Sequence, residues 1–200
     1  MGKINFILDL DQTLIHALKP NEMYRSHEDK FKKYDMDGSY IVFERPRLQE
    51  FLDFVFANFN ISVWTAATQD YASWIIANII LQKPNRKLDY VFFHQHVVIS
   101  EKMTSHTKAL KMFWEVYKMP DYNDRNTLIL DDYNEVYKTQ PNNCINVKPF
   151  DFNKLGADKD DLFEKLIPIL KTQLVGTNNV QKAVPIINSE LKSKNESKSK

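Results

Sequence analysis

Two carboxylates and a hydroxyl stand two residues apart at Asp9, Asp11 and Thr13, directly after the apolar run from Ile4 to Leu8. A run this short reads as a buried strand, yet it ends in acids. A carboxylate leaving water costs several kcal/mol unless it is paired or ligates a metal, so two of them at one buried strand end call for a shared cation or a reaction. A second apolar run, Ile61 to Trp64, ends in another hydroxyl at Thr65-Ala66-Ala67-Thr68, and a third, Thr127 to Leu130, ends in Asp131-Asp132. If the three run as parallel strands, two acids, a hydroxyl and two further acids meet at one sheet edge. Four carboxylates there repel each other by several kcal/mol unless a divalent cation and a lysine neutralise them. Lys108, with Lys102 and Lys111 as rivals, is the candidate lysine.

The elements that must position these groups read as alternating strands and helices. Arg45-Pro46 opens a helix with an apolar stripe at Leu48, Phe51, Leu52, Val55, Phe56 and Phe59. Asp70 caps a second over 71–81, and Asp160 to Leu170 forms another. A helix after Thr104 or Ser105, with the stripe Leu110, Phe113, Trp114 and Tyr117, places Lys108 in its first turn. There a cation opposes the helix dipole and needs a partner. Strand and helix alternating in this way imply an α/β fold with a parallel sheet and its ligand site at one edge. Asp37-Gly38 marks a hairpin turn whose returning arm is Ser39 to Glu44. The segment from Lys87 to Ser100 reads as a small inserted antiparallel β-ribbon presenting His94 and His96 on one face. It lacks the third ligand that a zinc site needs. Ile145-Asn146-Val147 is a final short strand. Residues 176–200 turn polar, and 189–200 hold one apolar residue, Leu191, so this stretch reads as a disordered tail behind a domain of residues 1–175.

Two hundred residues with 43% hydrophobic content suffice for one core, and a formal net charge of +1 argues against non-specific nucleic-acid or membrane-surface binding. The single Cys144 excludes an internal disulfide and fits a reducing compartment. With no membrane-length apolar run and no signal-peptide pattern, the expectation is a soluble intracellular protein of nucleus or cytoplasm.

The series Asp-Leu-Asp-Gln-Thr-Leu-Ile-His at 9–16, Arg45-Pro46, Trp64-Thr65-Ala66, a lysine at 108, Leu-Ile-Leu-Asp-Asp at 128–132 and Pro141-Asn142-Asn143 resembles the RNA polymerase II carboxy-terminal-domain phosphatases, the small-CTD-phosphatase branch of the haloacid dehalogenase superfamily. The likeness runs from about residue 4 to 170. It implies a Rossmann-like haloacid dehalogenase fold, Asp9 as a nucleophile phosphorylated by substrate, and Asp11 as general acid and then base. Thr65 would hold the phosphoryl group and Lys108 would neutralise it, with Thr13 and Ala66 beside it. Mg²⁺ would be bound among Asp9, Asp11 and Asp132, with Asp131 as neighbour. Tyr71 and Leu18 fall where the family lines a pocket for a proline beside the phosphoserine, and His94 stands where relatives usually carry arginine.

The implied activity is a Mg²⁺-dependent phosphoserine/threonine protein phosphatase, with a phosphorylated protein such as the RNA polymerase II C-terminal domain as substrate. A phosphatase of nucleic-acid ends or small metabolites, and a catalytically silent binding module of the same fold, are the competing readings. The intact acids and Thr65 count against the last.

Overall fold

The computed structural model describes residues 3–22 and 25–196, with side chains 25–27, 195 and 196 left aside; the first two residues and the last four of the expected tail lie outside it. The chain runs β1 (Asn5–Leu8), β2 (Ile15–Leu18), β3 (Lys33–Met36), β4 (Tyr40–Glu44), α1 (Leu48–Asn58), β5 (Asn60–Trp64), α2 (Gln69–Ile75), β6 (Leu88–Phe92), α3 (His94–Thr104), β7 (Thr127–Asp131), α4 (Asn134–Thr139), β8 (Cys144–Asn146), α5 (Leu162–Gln173) and α6 (Val180–Glu196).

Five strands form a parallel sheet in the order β6-β5-β1-β7-β8. The chain builds outward from β1 through β5 to β6, then returns across the sheet to lay β7 on the other side of β1. The strand order therefore reverses between β1 and β7, the position where an open α/β sheet leaves a crevice at the strands' carboxyl ends. Both faces are covered, which is why these strands are apolar on successive residues instead of alternating. Phe6 and Leu8 face α1, α2, α5 and α6, where Phe51 stacks on Phe163 at 4.4 Å. Ile7 faces Trp64, Phe113, Ile129 and Cys144 on the other side.

A three-stranded antiparallel sheet, β2-β4-β3, sits beyond the carboxyl end of β1. Its hairpin turns at Asp37 (φ 49°) and Gly38 (φ 73°), both left-handed, and the turn is closed by the Ser39 N–H on the Met36 carbonyl at 2.9 Å. It closes over its own cluster of Leu18, Phe31, Phe43, Phe150 and Phe152, with Phe43 and Phe152 stacked at 3.6 Å.

Three expectations are corrected here. The small antiparallel sheet lies at 15–44, not at 87–100. Leu88–Phe92 is instead the outer parallel strand, bonded to β5, and His94 opens α3. The aromatic and β-branched residues of 90–99 signalled strand, but Val97 and Ser100 are buried while Val98 and Ile99 are exposed, a helical pattern. Lys108 is not in a helix's first turn. α3 ends at Thr104, followed by the left-handed Ser105 (φ 62°), and Lys108 itself has φ 45°, four residues before the π-helical turn Met112–Val116. Finally, 180–196 is not a free tail. α6 buries Val180, Ala183, Val184, Ile187 and Leu191 against α5 and β8. Its Asn188 side chain accepts from the Asn146 N–H (3.0 Å) and donates to the Cys144 carbonyl (2.9 Å), satisfying the open edge of β8. Sparse apolar residues at 180, 183, 184, 187 and 191 carry the helical period that the polar composition masks.

Candidate active site

Asp9 is the residue immediately after β1, and Asp131 closes β7, the neighbouring strand, so the sheet alone sets these carboxylates side by side across the reversal point. Between them lies the Lys108 ammonium, 2.5 Å from Asp9 Oδ1 and 2.8 Å from Asp131 Oδ2, with all three groups buried. Asp131 Oδ1 accepts from the Tyr133 N–H at 2.8 Å, so both of its oxygens are engaged. The Thr13 hydroxyl lies 2.9 Å from Asp9 Oδ2 and 2.9 Å from Asp132 Oδ1, while it accepts from the Asp132 N–H at 3.1 Å. One hydroxyl has one proton, so one of those two carboxylate oxygens is left without a donor. Ligand oxygens of Asp9, Asp131 and Asp132 all lie within 4.8 Å of one another. A hard, oxygen-seeking cation fits this donor set, and Asp9 Oδ2 with Asp132 Oδ1 is the pair that the lysine leaves available.

The Asp11 carboxylate lies outside that three-acid group. Tyr71, on α2, donates its hydroxyl to Asp11 Oδ1 at 2.5 Å. Burial, reinforced by the Asp9 charge and opposed by the Tyr71 bond, lifts Asp11 to about 6. Burial and then Asp9 likewise lift Asp131 to about 7 and raise Asp132, since one ammonium serves three carboxylates. Lys108 is buried too, but the charges of Asp9 and Asp131 outweigh the desolvation and hold its proton more firmly than in water.

Thr65 follows β5 and is 1% exposed. Its Oγ1 accepts from the Ala67 N–H at 3.0 Å, which leaves its own proton free to donate. Ala66 is exposed at the turn. His94 is also exposed and is tied to this turn by its backbone, through its N–H to the Ala67 carbonyl (3.0 Å). Tyr71 packs edge-on to Tyr40 at 5.6 Å. Leu18 does not join it, because alternation along β2 turns Leu18 into the aromatic cluster under the small sheet while Ala17 faces the cluster that contains Tyr71.

Several residues hold the site in shape, and two of them, Gln140 and Ser100, carried no signal in the chain. Lys108 adopts a left-handed backbone, costly for a residue with a side chain and common at functional sites. Gln140 clamps it, donating to the Lys108 carbonyl and accepting from the Leu110 N–H, both at 2.9 Å. Ser100 Oγ fixes the preceding turn through His106 and Ala109. Gln12, between Asp11 and Thr13, is also left-handed (φ 60°), and its carbonyl accepts from the Phe150 N–H at 2.6 Å. Arg45 is structural. Buried, it bonds Asp160 twice (2.9 and 2.8 Å), the Thr13 carbonyl (3.1 Å) and the Lys148 carbonyl (3.0 Å).

No helix among the described residues is long and apolar enough to cross a membrane. Over residues 4–181 the chain matches the family described as NLI interacting factor-like phosphatase. It is 38% identical over 180 residues to the CTD phosphatase-like protein 355R of invertebrate iridescent virus 6, covering 85% of this chain and 98% of the relative. Its counterpart in invertebrate iridescent virus 3 is 34% identical over 177 residues, covering 83% and 94%. The ubiquitin-like domain-containing CTD phosphatase of Arabidopsis thaliana is 26% identical over 86% of this chain, which spans only 46% of that protein. Among solved structures, a variant of the fission yeast RNA polymerase II CTD phosphatase Fcp1 bound to beryllium fluoride shares the fold at TM-score 0.54 and 18% identity, covering 97% of this chain and 51% of that one. A second Fcp1 structure superposes at TM-score 0.55 and 16% identity, covering 96% and 62%. With its acids, lysine and hydroxyls gathered at the sheet's reversal point, the chain belongs to the NLI interacting factor-like phosphatases, the CTD-phosphatase family of protein phosphatases in the haloacid dehalogenase superfamily.

Proposed function

We propose that the protein is a Mg²⁺-dependent phosphoserine/threonine protein phosphatase working through a phosphorylated Asp9. The carrying observation is the placement of Asp9 between Lys108 and Thr13, the one bridging it to Asp131 and the other to Asp132. Asp9 and Asp132 would hold Mg²⁺, with Asp131 behind them; the ion would offset the charge of the phosphate approaching a carboxylate.

An oxygen of Asp9 attacks phosphorus, and the bond from phosphorus to the seryl oxygen breaks as Asp11 delivers its proton to that oxygen. Water then attacks the phosphorus, Asp11 takes a proton from it, and the bond to Asp9 breaks to release inorganic phosphate. An Asp11 that titrates near 6 suits both duties near neutral pH. Lys108 and the free Thr65 proton stabilise charge on the phosphoryl oxygens, where the transition state carries it. We assign Ala66, Tyr71 and His94 to the rim that meets the peptide around the phosphoserine, and extend the phosphatase unit through α6 instead of ending it at residue 175. The Fcp1 structures, named for the RNA polymerase II CTD, make a phosphorylated serine-proline segment the first substrate to try.

The test is hydrolysis of p-nitrophenyl phosphate with Mg²⁺ by the full chain, by Asp9→Asn and after EDTA. Turnover is expected to fall about 10³-fold or more in the variant and to return when Mg²⁺ is restored to the wild type. Activity that survives both treatments sinks the proposal.

A further inference from the structure

Beyond β8, at the same carboxyl edge of the sheet as Asp9, the loop 147–162 and the helices α5 and α6 enclose a cavity of about 500 Å³. Six cationic side chains line it against three acids. Two of the acids are answered by cations, Asp160 by Arg45 and Asp161 by Lys165, and Asp151 Oδ1 accepts from the Asn153 N–H at 3.0 Å. Lys148, Lys154, Lys159 and Lys192 are exposed, and none has a carboxylate within 4 Å among the described residues. Four ammonium groups around one concavity, of which only Lys159 feels a nearby carboxylate, that of Asp158, give a positive potential that an anion would relieve. Leu155 is 99% exposed at its lip, an apolar surface beside that charge.

The wall of this cavity is also a wall of the active site. The Val147 N–H donates to the Asp131 carbonyl (3.2 Å) and the Phe150 N–H to the Gln12 carbonyl. β8 lies two strands from β1, roughly 10 Å at the usual strand spacing. An extended peptide covers that in about three or four residues. We infer that the cavity is a second subsite, binding an acidic or phosphorylated side chain of the same substrate about three to five residues from the scissile phosphoserine. This rests on the phosphatase reading above. A net charge of only +1 over the whole chain favours such a local peptide contact over a nucleic-acid track.

Two fluorescein-labelled peptides test it, each with one phosphoserine, one with neutral flanks and one with a glutamate cluster three to five residues to either side. Wild type is expected to prefer the acidic peptide by about three- to tenfold in kcat/KM, through KM, and to lose the preference at 0.5 M NaCl. Lys154→Glu/Lys192→Glu and the milder Lys148→Gln/Lys159→Gln should abolish it while leaving p-nitrophenyl phosphate turnover unchanged. Equal KM values in wild type, or a preference kept by both variants, overturns the subsite. Should wild type hydrolyse neither peptide, the phosphatase reading fails, and fluorescence polarisation of the unphosphorylated peptides decides the subsite alone. Tighter binding of the acidic peptide by wild type than by the variants upholds it. No difference, or equal displacement by an oligonucleotide of matched charge, overturns it.

Discussion

Replacing Lys108 by methionine keeps the volume and removes the ammonium that two buried carboxylates, Asp9 and Asp131, share. Two unit charges no more than 4.8 Å apart repel by roughly 3.5 kcal/mol or more at an effective dielectric near 20, and Asp9 and Asp131 would face each other without their bridge. Removing one partner of a buried pair typically costs about 3–5 kcal/mol, an independent route to the same size. The cost must depend on pH. Asp131 already titrates near 7 because burial and Asp9 disfavour its charge. The folded state therefore binds that proton more tightly than the unfolded chain, and this stability is lost as pH rises from about 4 towards 7. Without Lys108 the loss deepens at high pH, whereas a protonated Asp131 needs no cation. Urea unfolding followed by fluorescence of the buried Trp64, with EDTA present, is expected to show Lys108→Met less stable by about 3–5 kcal/mol at pH 8. The gap should narrow towards pH 5. A difference below about 1 kcal/mol at pH 8, or one that widens on acidification, would refute the shared-ammonium account. Turnover of p-nitrophenyl phosphate should fall by about 10²–10³-fold with Mg²⁺ present, the usual cost of one electrostatic stabiliser.

His16 gives the opposite pH signature. Its Nδ1 accepts the Phe152 N–H at 2.9 Å, and burial, against the opposing pull of Asp151, lowers its affinity for a proton. A histidine depressed on folding contributes stability above its usual value near 6.5 that is lost as pH falls, so wild type should lose more stability than His16→Asn between pH 7 and 5. Parallel unfolding curves for the two would exclude this. Truncation after Gly176 removes five buried apolar residues of α6, roughly 5–10 kcal/mol of gross burial, which is comparable to the whole stability of a domain. The shortened chain should show no cooperative thermal transition by circular dichroism. A transition within a few degrees of the full chain would show α6 to be dispensable.

The chain by itself determined the chemistry and the sheet that presents it. Short apolar runs ending in Asp9, Thr65 and Asp131-Asp132 specify buried parallel strands, because only a sheet covered on both faces hides consecutive apolar residues. Such strands deliver whatever follows them to one edge. The helical stripe of 48–59 and the turn at Asp37-Gly38 were legible for the same reason: their periods and backbone demands are local. What the tertiary structure decided is everything that depends on partners distant in the chain. Lys108 was the candidate with Lys102 and Lys111 as rivals, and Gln140 and Ser100 fix its left-handed turn against Asp9 and Asp131, a choice no spacing encodes. Leu88–Phe92 became a parallel strand and 94–104 a helix because β5 offered an open edge on one side only. The polar stretch from 180 became α6 because β8 and α5 left an apolar surface and unpaired strand groups for it to cover, so its burial depended on surfaces made elsewhere, including Cys144 and Asn146, 44 and 42 positions before Asn188, as much as on its own composition.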